Sequence, residues 1–511
     1  MRRERLREKP IIAVLVTLTA LRVATYSLAF PFFNNVDEQM HADLVIKIAR
    51  GYWPNQRWER FDAESIRLFG LYGSPEYLVR SDVRDTEGRW RLLRDRPPHI
   101  AASIKRQRKA QWSGMGNHEA HTAPIYYSLP AIGYRVGGWV GLVGAQRLYV
   151  ARLVNVPIVA LFVWLAYRFC RRWYPDRPEI RIGVPLLLTF LPQDLFYSLN
   201  SDVLSPLAYT ASLMLLLAWH QARTPRPRLG VALGLAMGLT FLVRYTNIVL
   251  LVLAGVLGLV KLRAMSREGR GAIGVRTVST VALSAAAPVA IYSLRNAIFL
   301  GDFTGTRAKL EIQGSGWTAN TLQGVLGHPI FTFEGLSTFW HSLISTLWRG
   351  EIVWYSQPVA HEWMDCFYSL STAALWLGAA AAWAIAWRRA RRGAASEVGD
   401  RSRLSVVHGV IWASPLLGIL SLVALSLAWD FGDFFFPSRE HPYFTQGRLI
   451  AGQLVPLMIL YVEGIVFLTR RFSSTTGTII IVALIAGAMF LSEATATAPV
   501  FSSAWNWFHL R

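Results

Sequence analysis

The sequence predicts an all-α polytopic membrane protein with about eleven transmembrane helices, within a range of ten to thirteen. Three observations lead there. Of 511 residues, 53% are hydrophobic and only 17% are charged, against about 25% charged in a soluble protein. The apolar residues run in blocks near the ~20 residues that a bilayer crossing requires. About half of the 53 lysines and arginines sit in short clusters at the ends of those blocks, the positive-inside pattern. Soluble multidomain, disordered and fibrous classes are thereby excluded. The two cysteines, Cys170 and Cys366, form no disulfide framework. The net charge of +21 encodes topology, not a nucleic-acid partner.

In chain order, the cationic start Met1 to Lys9 precedes an apolar run from Ile11 to Phe30. That run exceeds a signal-peptide core and lacks a small-residue cleavage site, so it is a retained helix. Residues 1–31 are a cytoplasmic N-terminus and first span, and 32–146 an extracytoplasmic loop with interfacial helices. Further spans are expected at 147–168, 182–199, 203–219, 229–242, 246–260 and 277–299, the main bundle at 147–299. An outer loop at 300–366 follows, then the C-terminal helices at 367–492, with spans at 367–387, 405–428, 449–468 and 477–492, and an outer tail at 493–511. Alternate connections carry the charge: Arg168 to Arg181, Arg223 to Arg228, Lys261 to Arg276, Arg388 to Arg403, and Arg470 with Arg471. A full span at Pro124 to Val143 would invert every later loop, so this segment is expected to lie on the outer interface, with Tyr126, Tyr127, Tyr134 and Trp139 at headgroup depth.

Polar groups that the topology does not require gather on the outer side. Asn34-Asn35-Val36-Asp37-Glu38-Gln39-Met40-His41 opens a helix with Met40, Leu44, Val45 and Ile48 on one face, stopped by Gly51 and Pro54. Asn35 as a cap and the two acids at the helix N-terminus are the structural reading. Acids against a membrane surface otherwise call for a function. Later span ends add Asn200, Asp202, Arg244, Arg295, Asn296, Gln446 and Arg448. Each arginine alone reads as snorkelling. Together they depart from the positive-inside trend at one interface, where planar guanidinium groups suit phosphate oxygens. The histidines of Asn117-His118-Glu119-Ala120-His121 are three apart, not the four that a helical zinc motif needs. They suit hydrogen bonding to substrate or to Asp37. The basic run Arg84 to Lys109 is a solvated face or an attractor of anionic headgroups. No Walker-type loop is present.

This pattern resembles the C-type glycosyltransferase superfamily, in its bacterial branch akin to protein O-mannosyltransferases and lipid A aminoarabinose transferases. Asp37-Glu38-Gln39-Met40-His41 through Ala49-Arg50-Gly51 is similar to the first-loop motif of that family. His121-Thr122-Ala123-Pro124-Ile125-Tyr126-Tyr127 is similar to its His-Pro-Pro-Leu-Tyr-Tyr string, with Thr and Ala replacing the usual residue and first Pro. Arg147 to Asn155, Leu294-Arg295-Asn296 through Gly301-Asp302, and Gln446-Gly447-Arg448 also resemble family strings.

The resemblance implies sugar transfer from a polyprenyl-phosphate donor to a glycan, lipid or protein acceptor, at the outer face of a bacterial inner membrane. Asp37 takes the position of the family acid and is the expected general base, with Glu38 orienting the acceptor or substituting for it. Arg295, Arg448 and Arg244 would meet the charge growing on the leaving phosphate. His41, His118, His121, Tyr126, Asp202, Asn296 and Gln446 are expected to bind substrate, and Trp317, Trp340, Trp348 and Trp354 to anchor at the interface, with sugar stacking as the alternative. A single displacement inverts the anomeric centre. No cofactor is expected, a divalent ion being the less favoured alternative. The rivals are a flippase of lipid-linked sugars, which would place ionisable groups at mid-bilayer, and a lipid-linked glycan polymerase or ligase.

Overall fold

The computed structural model describes residues 2–33, 37–74, 76, 97–224, 226–354, 357–391, 398–432 and 437–509. Asn34, Asn35 and Val36 lie outside them, as does the basic run from Arg84 to Arg96. The chain is helical almost throughout. A long first helix, α1 (Arg2–Ala29), is followed by α2 (Glu38–Ala49), α3 (Ala63–Tyr72), α4 (Pro98–Ser113) and α5 (Ser128–Trp139). The bundle continues with α6 (Ala145–Leu153), α7 (Asn155–Trp173), α8 (Pro178–Thr189), α9 (Ser205–Gln221), α10 (Pro227–Val243), α11 (Ile248–Arg267) and α12 (Gly271–Leu300). Three shorter helices, α13 (Thr306–Gln313), α14 (Leu322–Leu326) and α15 (Phe333–Arg349), precede α16 (Glu362–Arg391), α17 (Val398–Ala428), α18 (Leu454–Thr469) and α19 (Thr475–Phe501).

Among the described residues, nine helical segments are long and apolar enough to cross a bilayer. The remaining two of the eleven expected spans are α10, with 17 residues, and α8, with 12. At 1.5 Å per residue α8 rises only ~18 Å. Its helix stops before Pro192, and the chain continues as a short 3-10 turn from Asp194 to Tyr197. The expected helix over 182–199 is therefore broken midway, because proline donates no backbone hydrogen bond.

The core is built around α18, whose span is 94% buried, with α8, α16, α17 and α19 against it. Backbones also approach closely between α10 and α12. A Cβ on Gly234 would stand 2.4 Å from the Val281 carbonyl oxygen, and one on Gly238 2.4 Å from that of Ala285. Such close packing of small residues replaces the hydrophobic effect as the source of association inside lipid. Helix α5 is too short to span, ~18 Å by the same rise. It buries Pro130, Ala131, Gly133 and Tyr134 and turns Leu129, Ile132, Val136 and Trp139 outward, the stripe expected of an interfacial helix.

Chain alternation puts the C-terminal ends of α1, α10, α12, α17 and α19 beside the N-terminal ends of α7, α9, α11, α16 and α18. At that end α2 to α5, α13 and the C-terminal part of α15 form a cap over the bundle, with α14 beside α17. The basic connections lie at the other end.

Candidate functional site

Helix α2 begins with two adjacent acids that part ways. Asp37 occupies the N-cap position with φ 62°, and its side chain makes no capping bond to the helix. Aspartate enters this left-handed region more readily than most residues, and strained positions of this kind gather at functional sites. The carboxylate faces His118, whose Nε2 stands 3.4 Å from Oδ1, and Arg448, with Nη2 at 3.9 Å from Oδ2. Glu38 points the opposite way, into the bundle. It pairs with Arg152 at 2.7 and 2.9 Å and accepts from the backbone nitrogens of Phe33 and Leu199.

Asp37 lies on the wall of a cavity of roughly 960 Å³ at the capped end of the bundle. Its charged and polar lining comes from five separate regions: Asp37 and His41, His118 and Glu119, Arg244, Lys309 and Glu351, then Gln446 and Arg448. Arg448 Nε meets Glu351 at 2.8 Å. Arg244 Nε meets the buried Asp202 at 3.2 Å, so Asp202 holds the arginine from behind. Lys309, carried by α13, forms an ion pair with Glu119. Gly305, with φ 72°, makes the turn that starts this helix. Glu119 is further fixed by Thr122 Oγ1, which donates at 2.7 Å, and its backbone nitrogen donates to Asn117 Oδ1. Asn117 also donates to the Met40 carbonyl and to Asp43. The 117–122 loop is thus bolted to α2.

A second chamber of about 330 Å³ shares His118, Glu119, Arg244, Lys309, Trp317 and Phe444 with the first, and adds His121 and the apolar side chains Leu242, Val243 and Leu425. The larger hollow, which holds most of the charged groups, and the smaller, more apolar one therefore meet at Arg244 and Lys309.

Charge sets the protonation states here. Burial pushes the Asp37 pKa up, but the hydrogen bond and charge of His118, together with Arg448, hold it below the ordinary carboxylate range. Glu119 is likewise favoured as the neutral acid by burial, yet Lys309, His41, His118 and Arg244 hold it well below that range. Glu351 is raised, chiefly by burial, with Asp202 and Asp37 adding to the effect. Burial lowers the pKa values of His41 and His121. His41 Nδ1 lies 2.6 Å from the Tyr127 hydroxyl.

Of the residues expected from sequence, Asp37, His41, His118, Arg244, Gln446 and Arg448 line the central cavity, His121 lines the side chamber, and Asp202 supports Arg244. Four others need correction. Glu38 is sequestered by Arg152, as described above. Tyr126 is fully buried and donates to Asn155 Oδ1 at 3.0 Å, and the equally buried Tyr127 reaches the site only through its contact with His41. Arg295 lies over the Trp53 ring at 5.1 Å and donates to Asn296 at 2.9 Å, which keeps both residues off the cavity lining. Trp317 borders both hollows, whereas Trp348 and Trp354 are buried and Trp340 donates to the Ser369 carbonyl. Lys309 and Glu351 were not expected. Each sits in a polar stretch of an outer loop with no local pattern, and only the tertiary packing brings it inward.

Asp37, His118 and Glu119 present ligand atoms that all lie within 4.8 Å of one another. They are of the types that bind divalent ions. Two cations already face them, Lys309 on Glu119 and Arg448 on Asp37.

The profile of a family described as a predicted membrane protein (DUF2142) matches residues 21–428. Among solved structures, the chain is similar to the crystal structure of ArnT from Cupriavidus metallidurans bound to undecaprenyl phosphate, at 16% identity. That match covers 96% of this chain and 79% of the other, with a TM-score of 0.34. No curated protein matches.

Proposed function

The chain belongs to the DUF2142 family of predicted membrane proteins, and on that premise we propose that it is a membrane glycosyltransferase acting on a polyprenyl-phosphate sugar. The observation that carries this reading is the Asp37 carboxylate beside the Arg448 guanidinium, 3.9 Å apart on the wall of a cavity at one end of a helical bundle. The C-type glycosyltransferase strings around Asp37 and Arg448 support the same assignment.

The donor phosphate would sit among Arg448, Arg244 and Lys309, with its lipid tail leaving through the apolar chamber. The acceptor hydroxyl or amine attacks the anomeric carbon. As that bond forms, the bond from the anomeric carbon to the phosphate oxygen breaks, and the electron pair leaves on the lipid phosphate. Arg448 and Arg244 meet the growing charge, and Asp37 takes the acceptor proton. One displacement of this kind inverts the sugar. An Asp37 held strongly ionised by cations is a weak base on its own. A donor phosphate that shares Arg448 would raise its basicity at the moment it is needed. His118, between Asp37 and Glu119, keeps the acid oriented. Catalysis proceeds without a metal, since Lys309 and Arg448 supply the positive charge that an ion would bring.

The basic connections at the opposite end support a cytoplasmic side for that end and an outer side for the cavity, in a bacterial inner membrane. The test is transfer by purified protein in nanodiscs, given a panel of radiolabelled polyprenyl-phosphate sugars and crude membrane acceptors. Label moving from lipid to an acceptor supports the reading. Lipid-linked sugar crossing the bilayer intact, with no transfer, would replace it with a flippase.

A further inference from the structure

The segment from Thr318 to Trp340 carries a single Asp, Glu, Lys or Arg, namely Glu334. It also turns its apolar side chains outward. Phe333 is 90% exposed, Leu322 76% and Leu326 71%, and Phe331 and Leu336 are exposed beside them. Water would make this one of the least favourable surfaces on the molecule, because contiguous exposed apolar patches mark an interaction site.

Much of the segment's backbone is satisfied internally. Thr321 caps Gly324 at 3.1 Å, His328 Nδ1 accepts from Ile330 at 3.1 Å, and Thr332 caps Gly335 at 3.0 Å. Internal satisfaction of this kind is what lipid demands of a buried backbone. The segment also starts where a membrane span ends. Asn320 donates its backbone and side-chain nitrogens to the carbonyls of Ala428 and Leu427, and Thr318 and Ala319 pair with Asp430 and Trp429. Helix α17, just below, presents Leu416 and Leu420 outward as a spanning helix does.

We propose that residues 321–337 form a foot seated in the acyl region of the leaflet on the cavity side, with lipid chains as its partner. Its apolar surface continues the lipid-facing surface of α17, which favours lipid over a second copy of the chain. The foot is coupled to the site. His328 Nε2 bonds to the Pro442 carbonyl at 3.0 Å, and α15, which the foot leads into, carries Thr346, which donates to Thr445 and accepts from Gly447. Those residues run directly into Gln446 and Arg448. The foot therefore sets the depth of the arginine at the height of lipid headgroups.

Spin labelling in nanodiscs tests this. In a Cys366→Ser background, with the buried Cys170 retained, labels go onto Leu322→Cys, Leu326→Cys and Phe333→Cys. Leu420→Cys serves as the lipid reference and Arg307→Cys as the aqueous one. The foot predicts that oxygen relaxes all three labels several-fold more than a water-soluble nickel chelate does, as at position 420. Labels relaxed mainly by the chelate, as at position 307, would overturn the proposal. So would labels shielded from both agents and broadened in discs that hold two copies, which would assign the face to a dimer.

Discussion

Glu38 Oε2 accepts from Arg152 Nη2 at 2.7 Å, and neither side chain is exposed to solvent. The same guanidinium donates to the carbonyls of Ser27, Phe30 and Pro31 at the end of α1. This pair ties α1, α2 and α6 together and fixes the direction in which the preceding residue, Asp37, faces. Removing one partner of a buried pair costs about 3–5 kcal/mol. Glu38→Ala is accordingly expected to lower the thermal midpoint in detergent sharply, and Arg152→Ala to do the same. Purified at a temperature where Glu38→Ala is folded, the variant should retain donor binding. An unaltered melting curve would refute the structural assignment.

Arg448 and Arg295 separate two kinds of arginine at one interface. Arg448→Gln removes a group that faces the developing phosphate charge, and losses of about 10²–10³-fold in kcat/KM are typical of such groups. Arg295→Gln, whose guanidinium rests on Trp53 outside the cavity, should leave the rate close to wild type. Steady-state kinetics with donor as the varied substrate checks both. Equal losses in the two variants would return Arg295 to the site.

Glu119 provides a pH signature. Its folded pKa lies below that of an unfolded glutamate, chiefly through Lys309, which overcomes the opposing effect of burial. The unfolded state therefore binds the proton first as pH falls. The stabilisation that the charged carboxylate confers is complete above the ordinary glutamate range and is lost as pH falls through the folded pKa. The difference in thermal midpoint between wild type and Glu119→Gln should thus be constant from pH 8 to about 5.5 and shrink below about 4.5. A difference that grows on acidification would reverse the assigned sign.

Metal independence is equally open to measurement. Chelation by EDTA should leave transfer unaffected, and manganese titrated into the chelated protein should show no tight, Asp37-dependent binding. Loss of activity on chelation, restored by a divalent ion, would make Asp37, His118 and Glu119 its ligands.

Spans were legible because lipid imposes a simple rule, apolar length bounded by cationic ends, and α1, α7, α9, α11, α12 and α16 to α19 obey it. The break at Pro192 within the span expected over 182–199 shows where the rule is too coarse, since apolar composition does not distinguish a helix from a buried turn. Within the site, Asp37 and Arg448 were legible as polar residues at span ends with no topological reason to be there, and His118 as a loop histidine suited to bonding Asp37. Glu38 passed the same test and fails in space. Its partner Arg152 is 114 residues away in α6, and nothing local indicates that the two meet. Lys309 and Glu351 lie in loops whose polarity looks ordinary until α13 and α15 fold over the cavity.

The central claim is that Asp37 is the base. Its most direct test compares wild type and Asp37→Asn in nanodiscs, measuring transfer of labelled sugar and binding of the polyprenyl-phosphate donor on the same samples. The account predicts that Asp37→Asn binds donor and retains its fold while transfer falls by about 10²–10⁴-fold, the range for loss of a general base. Transfer at the wild-type rate, with donor bound normally, would contradict it and leave Asp37 a structural residue at the start of α2.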